Sequence, residues 1–361
     1  MKKNVLIITG GTGGHVIPAI NLANFFSNKN INCRVLVDKR GYKYINNFNG
    51  KIHIINSSNL SGNFIFKILG LFSLSYGFIQ SLFITLFFKP NIAISFGSYA
   101  SFFPMLSCII FKSILKTKLF IHEQNSILGR SNIILSKFSE KIFLNYNLSL
   151  NINKKYIKKI FVVGFPENNF YYLKSEKNTK PNKKFTIFIM GGSQGSEFIS
   201  KFSSKLIKII DKERKLSVRF IFQCPKNVLN NVTNDLNHIR SELIIKDYFT
   251  NIDEILNKTS VAISRAGAGS LNDFINYNIP SILIPLPTAK DNHQYFNASI
   301  LEKENVAIIL DQSKNEIEKA KNYIYSFYKN LKDLQEISYR FDKIRVKNSN
   351  SLIYKLITNE K

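Results

Sequence analysis

The chain has 361 residues, 45% of them hydrophobic and 20% charged, which is enough apolar material for about two domains of roughly 150 residues and excludes a disordered chain. Lys and Arg number 50 against 24 Asp and Glu, a formal charge of +26, yet the lysines are scattered and seldom interleave with aromatics, so no nucleic-acid partner is expected. Cys33, Cys108 and Cys224 lie far apart in no Cys-x-x-Cys pair, which argues against zinc and a disulfide framework and fits a reducing cytoplasm.

The first element is a strand over Val5–Ile8, rich in β-branched residues, and no signal peptide is expected ahead of it. It runs into Gly10-Gly11-Thr12-Gly13-Gly14-His15, and a helical pattern follows over Val16–Phe26. Glycines at a strand-to-helix turn let backbone amides approach a ligand, and a helix N-terminus favours negative charge, so this turn reads as a phosphate or sugar-phosphate cradle. Further strands are expected at 32–38, 52–56, 91–97, 118–123, 141–145 and 159–164, with helices between most of them. That alternation predicts an α/β architecture, a parallel sheet covered on both faces, with ligands at the strand ends.

Ile68–Phe88 is a charge-free run of 21 residues, long enough to span a membrane. Its Gly, Ser, Thr and Gln content, and the strand that follows, favour a helix packed on the sheet with a greasy face toward a membrane surface. A span and a plain buried helix are the alternatives.

Residues 165–184 break the rhythm with Pro166, Pro181 and Asn pairs and read as a linker. The pattern then restarts with a strand at Phe185–Met190, a second glycine turn (Gly191-Gly192-Ser193-Gln194-Gly195) and a helix from Ser196. Strands follow at 218–224, 242–246, 261–264, 281–285 and 306–310. The expected division is a first domain over 1–165 and a second over 166–340, with a terminal helix at about 341–361 packing back on the first.

Several polar clusters fall at strand ends. His15 at the mouth of the anion loop is a candidate base or phosphate ligand, with a backbone-bonded helix-start residue as the bland alternative. His122-Glu123-Gln124-Asn125 can bond sugar hydroxyls or tie neighbouring loops together, the latter most readily at His122 or Glu123. Arg265-Ala266-Gly267-Ala268-Gly269-Ser270 suits a diphosphate, and Asp273, placed in the first turn of the next helix, either holds a ribose diol or caps. Lys290-Asp291-Asn292-His293-Gln294 and Asn297-Ala298 form another cluster. Asp38, at the end of the second strand, leaves a nicotinamide-dependent oxidoreductase open, although the first loop lacks the third glycine of the dinucleotide pattern.

In order and spacing, GGTGGH, HEQN, GGSQG, RAGAGS and KDNHQxxNA resemble the MurG family, UDP-N-acetylglucosamine:lipid I N-acetylglucosaminyltransferases of peptidoglycan synthesis. The resemblance implies a GT-B fold, two Rossmann-like domains facing across a cleft, and inverting transfer of N-acetylglucosamine to the C4 hydroxyl of the muramoyl sugar of lipid I, giving lipid II, without a bound metal or other cofactor. It implies that Thr12, Gly13 and Gly14 approach the donor, Asn125 the N-acetylglucosamine hydroxyls and Ser193 the diphosphate. Uracil would meet the backbone around Phe249, the nucleotide Ala268, Gly269, Ser270, Leu271, Asn272 and Asp273, and the sugar Gln294. His15 is the implied base, assisted by Glu123, or else the group that binds the acceptor's diphosphate. Partners would be UDP-N-acetylglucosamine, lipid I and an anionic membrane surface met through residues 64–88, placing the enzyme peripherally on the cytoplasmic face of the inner membrane. Another GT-B lipid glycosyltransferase is the nearest alternative.

The chain departs from the family pattern at three places. Asp273 stands where Glu is common, Phe165-Pro166-Glu167-Asn168 replaces Asn-Pro-x-Arg, and Gly97-Ser98-Tyr99-Ala100-Ser101-Phe102 replaces Gly-Gly-Tyr-Val-Ser-Gly.

Overall fold

The computed structural model describes residues 3–58, 63–147, 154–167, 184–192, 195–213, 215–329 and 334–358. The chain divides into two compact units, Met1–Asn168 with Val346–Lys361, and Asn169–Arg345.

In the first unit, β1 (Asn4–Ile8), β2 (Asn32–Asp38), β3 (Lys51–Ile55), β4 (Ile92–Ser95), β5 (Lys118–Glu123), β6 (Lys141–Leu144) and β7 (Ile160–Val162) form one sheet. Its order is β3-β2-β1-β4-β5-β6-β7 and every pairing is parallel. The order reverses between β1 and β4, and ligands bind at such a switch point, beyond the carboxyl ends of the strands. Crossovers carry α1 (Gly13–Asn28), α2 (Lys39–Tyr42), α3 (Phe64–Phe88), α4 (Tyr99–Ile110), α5 (Lys112–Leu115) and α6 (Arg130–Leu135). Val5 to Ile8 are fully enclosed because both faces are covered: Val5 and Ile7 pack with Val16 and Phe26 of α1, and Leu6 and Ile8 with Met105 of α4.

The second unit repeats the plan. Strands β8 (Phe185–Met190), β9 (Val218–Gln223), β10 (Glu242–Lys246), β11 (Val261–Ser264), β12 (Ser281–Leu283) and β13 (Ala307–Ile309) pair in the order β10-β9-β8-β11-β12-β13, all parallel. Its helices are α7 (Glu197–Glu213), α8 (Leu229–Asp235), α9 (Ile252–Lys258), α10 (Ala268–Asn276), α11 (His293–Lys303), α12 (Ile317–Lys329) and α13 (Leu334–Asp342). The chain then returns to the first unit as α14 (Ser349–Thr358), where Tyr354 packs edge-on against Phe25 at 6.1 Å. The single terminal helix expected from the sequence is thus two helices, with Asn348 in a left-handed conformation (φ 58°) at the start of the second.

Helix α3 is inside out. Its enclosed stripe, Gly70, Leu74, Gly77, Ser81, Thr85 and Phe88, recurs every three to four residues and consists largely of small and hydroxylic side chains. A Cβ on Gly77 would overlap the Asn56 carbonyl oxygen, so glycine lets the helix lie against the loop after β3. Gln80 accepts the Asn56 amide at 3.0 Å, and the Thr85 and Ser107 hydroxyls bond at 2.8 Å across to α4. The opposite face carries Leu69, Leu71, Phe72, Tyr76, Phe83 and Phe87, with Phe72 69% and Phe87 78% exposed. Among the described residues this is the one helix long and apolar enough, at Ile68–Phe88, to cross a membrane, and only 28% of its most apolar stretch is buried. The plain buried helix is therefore excluded. As the crossover from β3 to β4 in one sheet, α3 lies along the unit that it serves.

Candidate active site

In the first unit the turn after β1 is held from below by β2. Asp38 accepts the Gly11 amide at 2.8 Å and the Gly41 amide at 2.9 Å through one oxygen, and Nε and NH2 of Arg40 at 3.0 Å through the other. Gly11 itself has φ +83°, a conformation that a side chain rarely adopts. The Asp38 carboxylate is thus committed to its own loop and does not present itself to a ribose, which removes the feature that left the nicotinamide alternative open. Arg40 stacks over the Tyr99 ring at 4.8 Å.

Helix α1 starts earlier than the apolar pattern alone indicates, at Gly13, with Thr12 as its extended N-cap. The amides of Gly13 and Gly14 precede the first intrahelical bonds, those from His15 and Val16 to the Thr12 carbonyl (3.0 and 3.2 Å), and so have no acceptor within the helix; Gly13 is buried and Gly14 half-buried. His15 occupies this first turn. Its Nδ1 lies 3.0 Å from the Phe96 carbonyl at the end of β4 and 2.7 Å from Gln124 Oε1 after β5, while Nε2 has no hydrogen bond among the described residues. His122 is fully buried, stacked on Phe96, with its pKa pushed down to about 4 chiefly by that burial.

Glu123 does not fit the role of assisting base. One of its oxygens accepts the Asn125 amide and Nδ2 (3.1 and 3.0 Å), the other the Gly129 amide and Asn132 Nδ2 (2.9 and 2.8 Å). At 2% exposure, and with four donors, it shapes the loop that carries Asn125.

In the second unit the polar residues again gather at the switch point, between β8 and β11. Gly191 and Gly192 follow β8, and Gly195 closes a turn onto the Gly192 carbonyl at 3.1 Å; Ser193 and Gln194 lie outside the described residues. Arg265, directly after β11, is 6% exposed and donates to the Ile284 and Pro285 carbonyls (2.9 and 3.2 Å) and to the Ser196 hydroxyl (3.0 Å). Burial holds its pKa below the ordinary arginine value. It braces the loops after β8, β11 and β12 against one another.

Helix α10 opens at Ala268 behind Gly267, and a Cβ added to Gly267 or Gly269 would meet nothing within 4 Å. Ser270 is half-buried here, whereas Leu271 is fully enclosed and Asn272 nearly so, which limits these two to backbone contact with any ligand. Asp273 lies beyond the first turn, which holds no acid, because the helix starts at Ala268; the capping reading is excluded. Phe249 is half-buried after β10 with the Lys246 ammonium 5.8 Å from its ring. Gln294 accepts the Leu286 amide at 2.9 Å, and its Nε2 has no hydrogen bond among the described residues.

Residues 5–144 match the glycosyltransferase family 28 N-terminal domain and residues 186–352 its C-terminal domain. A Rickettsia canadensis protein named UDP-N-acetylglucosamine--N-acetylmuramyl-(pentapeptide) pyrophosphoryl-undecaprenol N-acetylglucosamine transferase is 31% identical over 98% of this chain and 99% of its own length. The chain belongs to the MurG family. A protein of the same name from Wolbachia pipientis subsp. Culex pipiens is 29% identical over 99% of both chains. The crystal structure of Acinetobacter baumannii MurG superposes with a TM-score of 0.73, covering 99% of both chains at 20% identity, and the two Rossmann-like sheets make this a GT-B fold.

Within this MurG-family chain, two arginines carry roles that the sequence motifs do not show. Arg265 opens the RAGAGS run, and an arginine directly at a strand's end is itself a signal. Arg40 gives no signal in the sequence because its significance depends on the buried Asp38 two residues away. Of the two readings open for Gln124, sugar ligand or tie between loops, its 1% exposure and its place between two histidines favour the tie.

Proposed function

We propose that this chain transfers N-acetylglucosamine from UDP-N-acetylglucosamine to the C4 hydroxyl of the muramoyl sugar of lipid I, with inversion, producing lipid II for peptidoglycan. The observation that carries the reading is the full-length similarity to relatives named for this transfer.

The acceptor oxygen attacks C1 of the donor sugar. Its proton passes to His15 Nε2 as the C1–oxygen bond to the diphosphate breaks, and the electron pair leaves with UDP. On the first unit, Thr12, Gly13 and Gly14 line the approach of the reacting groups, and Asn125, oriented by Glu123, meets sugar hydroxyls. On the second, the open start of α10, from Ala268 to Ser270, stabilises the departing diphosphate, with Ser193 as a further contact. The buried guanidinium of Arg265 fixes these loops and adds positive potential. Asp273 takes the ribose, the backbone around Phe249 takes uracil, and the free amide of Gln294 takes the donor sugar. None of these roles calls for a metal.

Helix α3 gives the enzyme its place. Its exposed Phe and Leu face enters the surface of an anionic bilayer, helped by the chain's positive charge, and keeps the protein peripheral on the cytoplasmic side of the inner membrane where the lipid acceptor lies.

The test is transfer of labelled N-acetylglucosamine from its UDP donor to a lipid I analogue in the presence of EDTA. Acceptor-dependent product is expected. Donor binding without product would remove lipid I as acceptor.

A further inference from the structure

The inference rests on the reading of His15 as the base and concerns what makes it one. Its Nδ1 lies 3.0 Å from the Phe96 carbonyl. A carbonyl oxygen has no proton to give, so Nδ1 is the donor, and in the neutral ring Nε2 keeps the lone pair. At the other end of the cluster, His122 Nε2 lies 3.0 Å from the Gly164 carbonyl. By the same argument His122 donates from Nε2 and accepts at Nδ1.

Gln124 stands between the two rings and satisfies both in one orientation. Its Oε1 accepts from His15 Nδ1 at 2.7 Å, and its Nε2 donates to His122 Nδ1 and to the His122 carbonyl, each at 3.1 Å. The flipped amide would set donor against donor at His15 and acceptor against acceptor at His122. Each proton is therefore assigned by the two carbonyls at the ends of the chain, and the Gln124 amide orientation follows from them.

We infer that Gln124 and His122 are positioning residues that lock His15 in the tautomer whose Nε2 can accept the acceptor's proton. Phe96 and Gly164, at the ends of the network, are the fixed references. Both intermediate side chains are buried, at 1% for Gln124 and 0% for His122, so water does not compete for the bonds. When His15 takes a proton, the resulting charge faces the Gln124 and Phe96 oxygens, two neutral acceptors, through Nδ1.

The Phe96 carbonyl by itself already favours this tautomer, so the part played by Gln124 and His122 is read in their variants as well as in the wild-type spectra. Nitrogen-15 spectra of the imidazoles of the full chain, which has five histidines, should show His15 protonated at Nδ1 and bare at Nε2, and His122 the reverse. A His15 ring protonated at Nε2 would overturn the inference. In the transfer assay, His122→Phe keeps a stacking ring but removes the Nδ1 acceptor, so that on this side the Gln124 amide is held by the backbone carbonyl of residue 122 alone. We expect kcat to fall by ~10- to 100-fold, part of what a general base supplies, with the KM for UDP-N-acetylglucosamine changed less than threefold. Gln124→Glu, which keeps an acceptor toward His15, should retain more of kcat than Gln124→Leu. Wild-type kcat in both His122→Phe and Gln124→Leu would reject the inference. Absence of transfer by the wild-type chain would instead reject the proposed function, and the spectra would still decide the tautomers.

Discussion

The carboxylate of Asp38 accepts the backbone amide of Gly11 at 2.8 Å, so the tip of the second strand builds the turn through which the first strand enters its helix. The acid that could have marked a dinucleotide site is an internal support of a different cradle. Replacing it exposes what it holds. Asp38→Ala leaves the Gly11 and Gly41 amides and the Arg40 guanidinium without their acceptor. Leaving buried donors unsatisfied costs about 1–3 kcal/mol, so a loss of ~2 kcal/mol in urea denaturation is expected; an unchanged midpoint would show that the turn stands without Asp38.

The parallel sheets were legible in the sequence because strands buried on both faces appear as short apolar runs, and each of the observed strands falls within or close to an expected one. The start of α1 was less legible: Gly13 and Gly14 look like loop, yet they form the first helical turn. Burial was the hardest to read. Glu123 and Gln124 stand in one polar run with Asn125, but β5 is buried on both faces, so that it and the turn after it enclose the first two, at 2% and 1%, and leave Asn125 partly open. Asp273 was misplaced by half a turn or more because the helix start depends on backbone geometry at Gly267.

Two glycines should respond in opposite ways. Gly269→Ala places its methyl in open space, so stability should change by less than about 1 kcal/mol, the usual scale of a glycine-to-alanine exchange in a helix. The same methyl intrudes where we place the diphosphate, and the KM for the donor should rise several-fold. Gly77→Ala collides with the Asn56 backbone and should destabilise the first unit with the donor KM unchanged. Thermal unfolding and donor titration of both variants check the contrast.

The outer face of α3 should matter only at a membrane. Leu69, Phe72 and Phe83, exposed by 57%, 69% and 57%, make no core contribution that glutamates would remove. The triple Glu variant should keep its melting temperature and its affinity for UDP-N-acetylglucosamine while losing sedimentation with anionic vesicles. Wild-type sedimentation by that variant would move the membrane surface elsewhere.

Stability should fall in mild acid through His122. Its pKa is lowered from 6.5 in the unfolded chain to about 4 in the folded one, mainly by burial, so only the unfolded state gains this proton as pH drops below 6.5. The contribution is fully present above that value and is lost progressively down to about 4, amounting to ~3 kcal/mol at 1.36 kcal/mol per pKa unit. Urea titrations at pH 7 and pH 4.5 should show that loss in the wild type and a clearly smaller one in His122→Phe. Equal acid sensitivity in the two would assign the effect to other groups.

The central claim, a lipid I N-acetylglucosaminyltransferase with His15 as its base, is tested most directly by comparing the wild type with His15→Ala. The measurement is single-turnover transfer of labelled sugar to a lipid I analogue, with donor affinity determined on the same samples. We predict acceptor-dependent product from the wild type, a rate lower by ~10²- to 10⁴-fold in the variant, as for loss of a general base, and donor affinity preserved within a few-fold. Transfer at the wild-type rate by His15→Ala, or loss of rate and donor affinity by the same factor, would contradict the account.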